Sequence, residues 1–201
     1  LGHPLSCVLE WAIANLNNTK AENVISFSSK TTPILAILRK NLLASRNTQI
    51  FYAETIPDFF NAKVIKDVYG YNFELKQVDK ESDILAFDGS NVFISQQGEI
   101  CNFDTNENVD FFLNLHADFG SVLLVNGEAN ESYISEIQHV RRRETIAMTP
   151  VNSFSVLKEL VDPSSGATYT TTVELDKAAT IDSIKEITGA PTKALVGSSG
   201  L

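Results

Sequence analysis

An α/β fold built on a mainly parallel, doubly wound sheet is what the sequence predicts, on three observations. From Asn23 to Val78 short β-branched runs alternate with stretches of helical period. The connections between them are short, as in βαβ units. A further wholly apolar run, Ser121–Val125 (SVLLV), has the composition of a strand buried on both faces.

Each element has its own justification. Leu5, Val8, Leu9, Ala12, Ile13 and Leu16 recur at helical spacing, and Asn17-Asn18 ends that helix. Asn23–Phe27 (NVISF) is a strand that breaks into the polar loop Ser28-Ser29-Lys30-Thr31-Thr32. A helix then opens with Thr32 as N-cap and Pro33 at its first position, carrying Ile34, Leu35, Ile37, Leu38 and Leu42 on one face. Gln49–Ala53 is a second strand. Pro57 opens a helix that runs through Phe59, Phe60, Val64 and Val68 to Gly70, a C-cap residue, and Asn72–Val78 alternates as a third strand. The region 82–104 holds small strands around Asp88-Gly89-Ser90 and Gln97-Gly98, and reads as a hairpin insertion. Val109–Ala117 reads as a short helix. Beyond Ser121–Val125, a helix at Glu131–Val140, the run Arg141-Arg142-Arg143, a strand at Thr145–Met148 and a helix through Phe154–Leu160 are expected. A domain over 1–161 is followed by a C-terminal extension or arm over 162–201, with a threonine-rich stretch, a helix at Asp176–Thr188 and a Gly/Ser tail.

Composition limits the function classes. With 43% hydrophobic and 20% charged residues the 201-residue chain is of ordinary globular make-up. Its net charge of -9 argues against a direct nucleic-acid role, which needs a basic face. No apolar run reaches membrane-spanning length, and the first residues lack the basic leader of a signal peptide. Cytoplasm or virion is the expected location. Cys7 and Cys101 form no CxxC pair and are expected as buried free thiols. His3, His116 and His139 are scattered without zinc-ligand spacing, so no metal site is expected.

The loop Ser28–Thr32 is the sharpest chemical feature. A strand that feeds hydroxyls and a lysine to a helix amino end places free N–H groups and the helix dipole where α/β proteins bind phosphate. Lys30 would neutralise charge there, whereas an N-capped solvated loop is the plainer alternative. Glu54 could meet a ribose hydroxyl or Mg²⁺ at the second strand's exit, or be an exposed turn carboxylate. Glu128 and Glu131 could hold a metal with substrate phosphates, though a solvated helix start suits them better; the three arginines could clamp an anion, though a polar surface run is the plainer reading.

Three segments together resemble the PP-loop branch of the adenine-nucleotide α-hydrolase superfamily, close to its phosphoadenylyl-sulfate-reductase-like members. Phe27-Ser28-Ser29-Lys30-Thr31-Thr32 stands where that family has its glycine-rich pyrophosphate loop. Tyr52-Ala53-Glu54-Thr55-Ile56-Pro57-Asp58 is similar to its second strand exit, and Val125–Ser132 with Gly127, followed by Arg141–Arg143, to its later one. The resemblance implies ATP with Mg²⁺ held by Ser28, Ser29, Lys30, Thr31, Thr32, Glu54 and Gly127, and a catalytic Lys30. Both family glycines are absent from the loop, and Glu128 replaces an expected arginine. The resemblance therefore implies a degenerate, non-catalytic domain acting through protein partners or self-assembly, as in a viral particle. An ATP-pyrophosphatase adenylylating an acyl or sulfur-bearing substrate is the alternative. In either case the exits at Phe27 and Val125 should face each other across one crevice.

Overall fold

The computed structural model describes residues 3–53, 55–57, 60–96, 100–162 and 186. Six strands form one mixed sheet. They are β1 (Val24–Phe27), β2 (Thr48–Tyr52), β3 (Glu74–Gln77), β4 (Ser90–Ser95), β5 (Phe111–His116) and β6 (Gly120–Val125), in the spatial order β1-β6-β5-β4-β2-β3. Strands β3, β2, β4 and β5 run parallel, and β6 is antiparallel to both of its neighbours, β5 and β1. The α/β class is as expected; the sheet is mixed.

Helices cover both faces. Alternate residues of the central strands feed two separate cores, because a strand's side chains point to opposite faces in turn. Ile25, Phe27, Ile94, Phe111, Leu113, Leu123 and Val125 pack under α2 (Thr32–Leu43), α3 (Ala62–Tyr69) and α4 (Glu131–Glu144). Val24, Phe93, Phe112, Val122 and Leu124 pack under α1 (Pro4–Leu16), α5 (Pro150–Val161) and the segment around Ile100–Phe103. Caps fix several helix ends: the His3 ring accepts from Ser6 N, Asn61 from Val64 N and Thr149 from Asn152 N. Gly70 closes α3 in the left-handed conformation, as its position predicts.

Five sequence expectations about the elements change. Val109–Ala117 is not a helix but contains β5 (Phe111–His116); Phe111–Leu115 are all buried because each face of this strand meets a core, which removes the alternation that marks a strand. The region read as a hairpin insertion contributes β4, a central strand of the main sheet, while Ile84–Phe87 is not a strand. Thr145–Met148 is irregular rather than extended pairing structure, and α3 begins at Ala62, later than Pro57. Finally, β5 and β6 are joined by the three residues 117–119, a link long enough only for an antiparallel hairpin. That hairpin turns β6 against β1, with Phe27 opposite Ser121. The exits at Phe27 and Val125 therefore lie at opposite rims of the sheet and share no crevice. Cys101 is buried as expected, but Cys7 is exposed, because it lies on the outward face of α1. The threonine-rich stretch, the Asp176–Thr188 helix and the tail lie outside the described residues, apart from Glu186.

Edge strand β1 is closed by a buried ion pair. The outward-facing N–H and side-chain hydroxyl of Ser26 both donate to Glu10 Oε1, at 2.9 and 2.7 Å. Arg141 donates to the same carboxylate oxygen at 2.5 Å and to Ser26 O at 3.1 Å. Glu10 from α1 and Arg141 from α4 thus replace the missing neighbour strand. Arg141 is buried, unlike Arg142 and Arg143, which stay on the surface as expected of a polar run.

Candidate functional site

The rim formed by the exits of β1 and β5 gathers most of the residues that the sequence singles out. Four backbone and side-chain contacts hold the loop Ser28–Thr32 there. Ser28 N donates to Ile146 O at 3.1 Å, and the Ser28 hydroxyl lies 3.2 Å from the same oxygen. Ser121 Oγ, at the start of β6, donates to Ser29 O at 2.7 Å. Lys30 Nζ donates to Ala117 O in the β5–β6 turn at 2.5 Å.

The close fit of loop and turn depends on Gly120. A Cβ there would lie 2.2 Å from Phe27 O, and the residue sits at φ +111°, where side chains are strained. Glycine lets the exit of β1 rest directly on the hairpin.

At the amino end of α2 the donors of the expected phosphate cradle are engaged within the loop itself. Ser29 Oγ receives Thr31 N at 3.2 Å, Thr32 N at 3.1 Å and Thr32 Oγ1 at 2.9 Å. The N-cap of α2 is Thr31 rather than Thr32, and it makes no side-chain cap bond; Ser29 Oγ, two residues earlier, takes these donors instead. Two backbone N–H groups and one hydroxyl thus converge on one oxygen, with Lys30 as the next residue in the loop.

The β5–β6 turn is built around His116. Its Nδ1 accepts from Asp118 N at 3.1 Å and from Phe119 N at 3.3 Å, which makes the neutral ring carry its proton on Nε2. The ring stacks on Phe119 with centroids 4.0 Å apart. Burial holds the His116 pKa below the usual histidine value, with Lys30 pushing the same way and the carboxylates of Asp118 and Glu159 opposing. Asn152 Nδ2 ties α5 to this turn by donating to Asp118 O and Phe119 O, each at 3.2 Å.

Not every predicted residue joins this rim. Gly127 follows β6 and lies at the opposite rim, at the head of a 3₁₀ turn, because β6 runs antiparallel to β1. Glu131 pairs with Lys20 on the surface at 2.7 Å. Glu54 lies outside the described residues. Sequence reasoning missed His116, Gly120, Ser121 and Asn152. A signal was available for the first two: Asp118-Phe119-Gly120 between apolar runs is a hairpin pattern, hidden by the helical reading of 109–117. A separate depression of about 360 Å³ lies on the α1/α5 face of β4 and β5, lined by Phe93, Phe103 and Phe112 together with Glu81 and Asp104. Among the described residues, no group of three or more His, Cys, Asp and Glu is placed to hold a metal ion. None of their helices is long and apolar enough to cross a membrane.

Comparison with known proteins decides the fold type. No family model and no curated protein matches the chain. Solved structures do match. The L-allo-threonine aldolase-type protein of Listeria monocytogenes aligns over 79% of this chain and 58% of its own, at 10% identity and a TM-score of 0.52. A cystathionine gamma-lyase from Lactobacillus plantarum, solved with L-serine, aligns over 80% and 52%, at 15% identity and a TM-score of 0.48. The kynurenine-aminotransferase-type protein Bna3p of Saccharomyces cerevisiae aligns over 80% and 54%, at 13% identity and a TM-score of 0.46. The chain spans little more than half the length of these three proteins.

Of these matches, the Listeria protein, with a TM-score above 0.5, carries the fold likeness. That likeness overturns the PP-loop resemblance, and with it ATP and Mg²⁺ as the implied ligands and the adenylylating activity. The antiparallel placement of β6 is the physical reason, since it removes the crevice that nucleotide binding required. The Listeria protein is named as an aldolase, a finding that stands against the expected non-catalytic particle subunit.

Proposed function

We propose that this chain is part of a pyridoxal-phosphate-type enzyme domain, and that the β1/β5 rim holds the phosphate of that cofactor at the amino end of α2, with Lys30 as the amine beside its carbonyl. The observation that carries this reading is the convergence of Thr31 N, Thr32 N and Thr32 Oγ1 on the single oxygen of Ser29. Donors so arranged bind an anionic oxygen more strongly than a neutral hydroxyl, and the helix dipole adds to the preference. Turning the Ser29 side chain away leaves the same three donors to a phosphate oxygen.

The donor set fits the group in two respects: hydroxyls and amides suit the phosphate ester, and the adjacent primary amine suits an aldehyde. Pyridoxal phosphate supplies, when bound, an aldehyde conjugated to an electron-withdrawing ring. The residues here would bind the ester, hold the amine through Ala117 O until ligand arrives, and keep the loop in register through Ser121. The Listeria neighbour's name concerns an amino acid, which supports an amino-acid substrate class.

The test is an absorbance titration of the full chain with pyridoxal phosphate, repeated with inorganic phosphate as competitor. The expected result is a saturable visible band that phosphate suppresses and Lys30→Ala abolishes, with the far-ultraviolet circular dichroism unchanged. A band that is absent, or indifferent to Lys30→Ala, would overturn the proposal.

A further inference from the structure

The turn that holds Lys30 is built on one imidazole. His116 Nδ1 is the acceptor for two successive backbone N–H groups, Asp118 N and Phe119 N. A nitrogen that gains a proton stops accepting and becomes a donor aimed at two other donors. The same three-residue turn carries Ala117 O, which receives Lys30, and Asp118 O and Phe119 O, which receive Asn152. One ring therefore underlies contacts to the loop before α2 and to α5.

We propose that the β5–β6 turn is a proton-operated latch: neutral His116 holds the turn closed with Lys30 docked on Ala117, and protonation of the ring opens the turn and frees the lysine. The charged groups that face the ring come from three elements: Asp118 in the turn, Glu159 on α5 and Lys30 before α2. The two carboxylates favour the protonated ring, while burial and Lys30 oppose it, and the balance lies with the neutral form. The Phe119 ring stacked on the imidazole supplies part of that burial. Opening is accordingly expected below the usual histidine range rather than at it. As a statement about the site, the latch rests on the reading of Lys30 as the ligand-facing amine; as a statement about the turn, it does not.

The experiment is an amide and imidazole NMR titration of the full chain from pH 7.5 downward, on the wild type and on His116→Asn. Asparagine places an oxygen acceptor near the position of Nδ1 and does not titrate. The expected result is that the Asp118, Phe119 and Lys30 amides move with the His116 ring, at one common midpoint below that of an unperturbed histidine. In His116→Asn those amides should stay fixed over the same range. Amides that remain still while the ring titrates, or that move equally in the asparagine variant, would overturn the latch. Pyridoxal phosphate affinity measured at the two ends of the titration separates the two proposals. A turn that opens while the chain binds no ligand at either pH sustains the latch and removes the ligand reading.

Discussion

Two serines on one strand exit show the difference between a closed contact and an exchangeable one. Ser26 is fully buried, and its N–H, hydroxyl and carbonyl oxygen are met by Glu10 and Arg141, side chains only 12% and 11% exposed. Three residues on, Ser29 is partly exposed, and its hydroxyl is met by neutral donors from a loop that is itself only partly buried. At Ser26 both charges are supplied by the chain, so nothing is left for a ligand to add. At Ser29 the donors come without an anion. The same residue type, one turn of chain apart, thus serves an edge seal in one place and a receptive rim in the other.

The largest effect should come from breaking the seal. Glu10→Ala leaves the Arg141 guanidinium buried without its carboxylate and strips Ser26 N of its acceptor. A loss of about 3–5 kcal/mol is expected for one missing partner of such a pair. Chemical denaturation measures it, and the paired variant Glu10→Leu with Arg141→Met should recover most of the loss. Recovery that fails would mean the two side chains do not act as one unit.

Gly120→Ala comes next, since it forces a Cβ against Phe27 O at a strained φ. Strain of this kind costs on the order of 1–3 kcal/mol before the clash is counted. It should also weaken ligand uptake at the rim, because the β1 exit and the hairpin can no longer touch.

Ser29→Ala should cost about 1 kcal/mol, the usual value of a helix cap. Here the comparison sharpens. Phosphate or pyridoxal phosphate should stabilise Ser29→Ala more than wild type, because the vacated donors are then free for the anion; thermal shifts with each ligand read this by mass action. Equal shifts in both proteins would place the anion elsewhere. Lys30→Ala, in contrast, should stay within about 0.5 kcal/mol of wild-type stability, as surface substitutions usually do.

Acidification gives the smallest effect. The folded pKa of His116 lies below its unfolded value, so the unfolded chain binds the proton more readily. Stability present above the ordinary histidine pKa is then lost as pH falls toward the lower folded value. Denaturation curves across that window should show the decline in wild type and a smaller one in His116→Asn.

How far the sequence foretold this molecule follows from where its cores lie. β1, α2, β2, α3 and β3 were legible because their caps, prolines and alternating patterns are local signals; Pro33 and Gly70 sit where those rules place them. β4 and β5 were not. Phe111, Phe112 and Leu113 serve two cores in succession, and a run buried on both faces has no period by which to tell strand from helix. The direction of β6 was equally hidden. SVLLV reads the same in either sense, and only the brevity of the turn at 117–119 reveals that it runs back against β5. That single reversal moved Gly127 away from the loop and left Ser28–Thr32 as the predicted residues that stay together. Arg141 was misjudged for a related reason: nothing local marks which arginine of three will meet a carboxylate from a helix 131 positions earlier.

The most direct measurement is borohydride fixation of pyridoxal phosphate on the full chain, followed by peptide mass mapping. The account predicts one dominant, phosphate-suppressible adduct on Lys30. Adduct spread evenly over the surface lysines, or concentrated on a lysine other than Lys30, would contradict it.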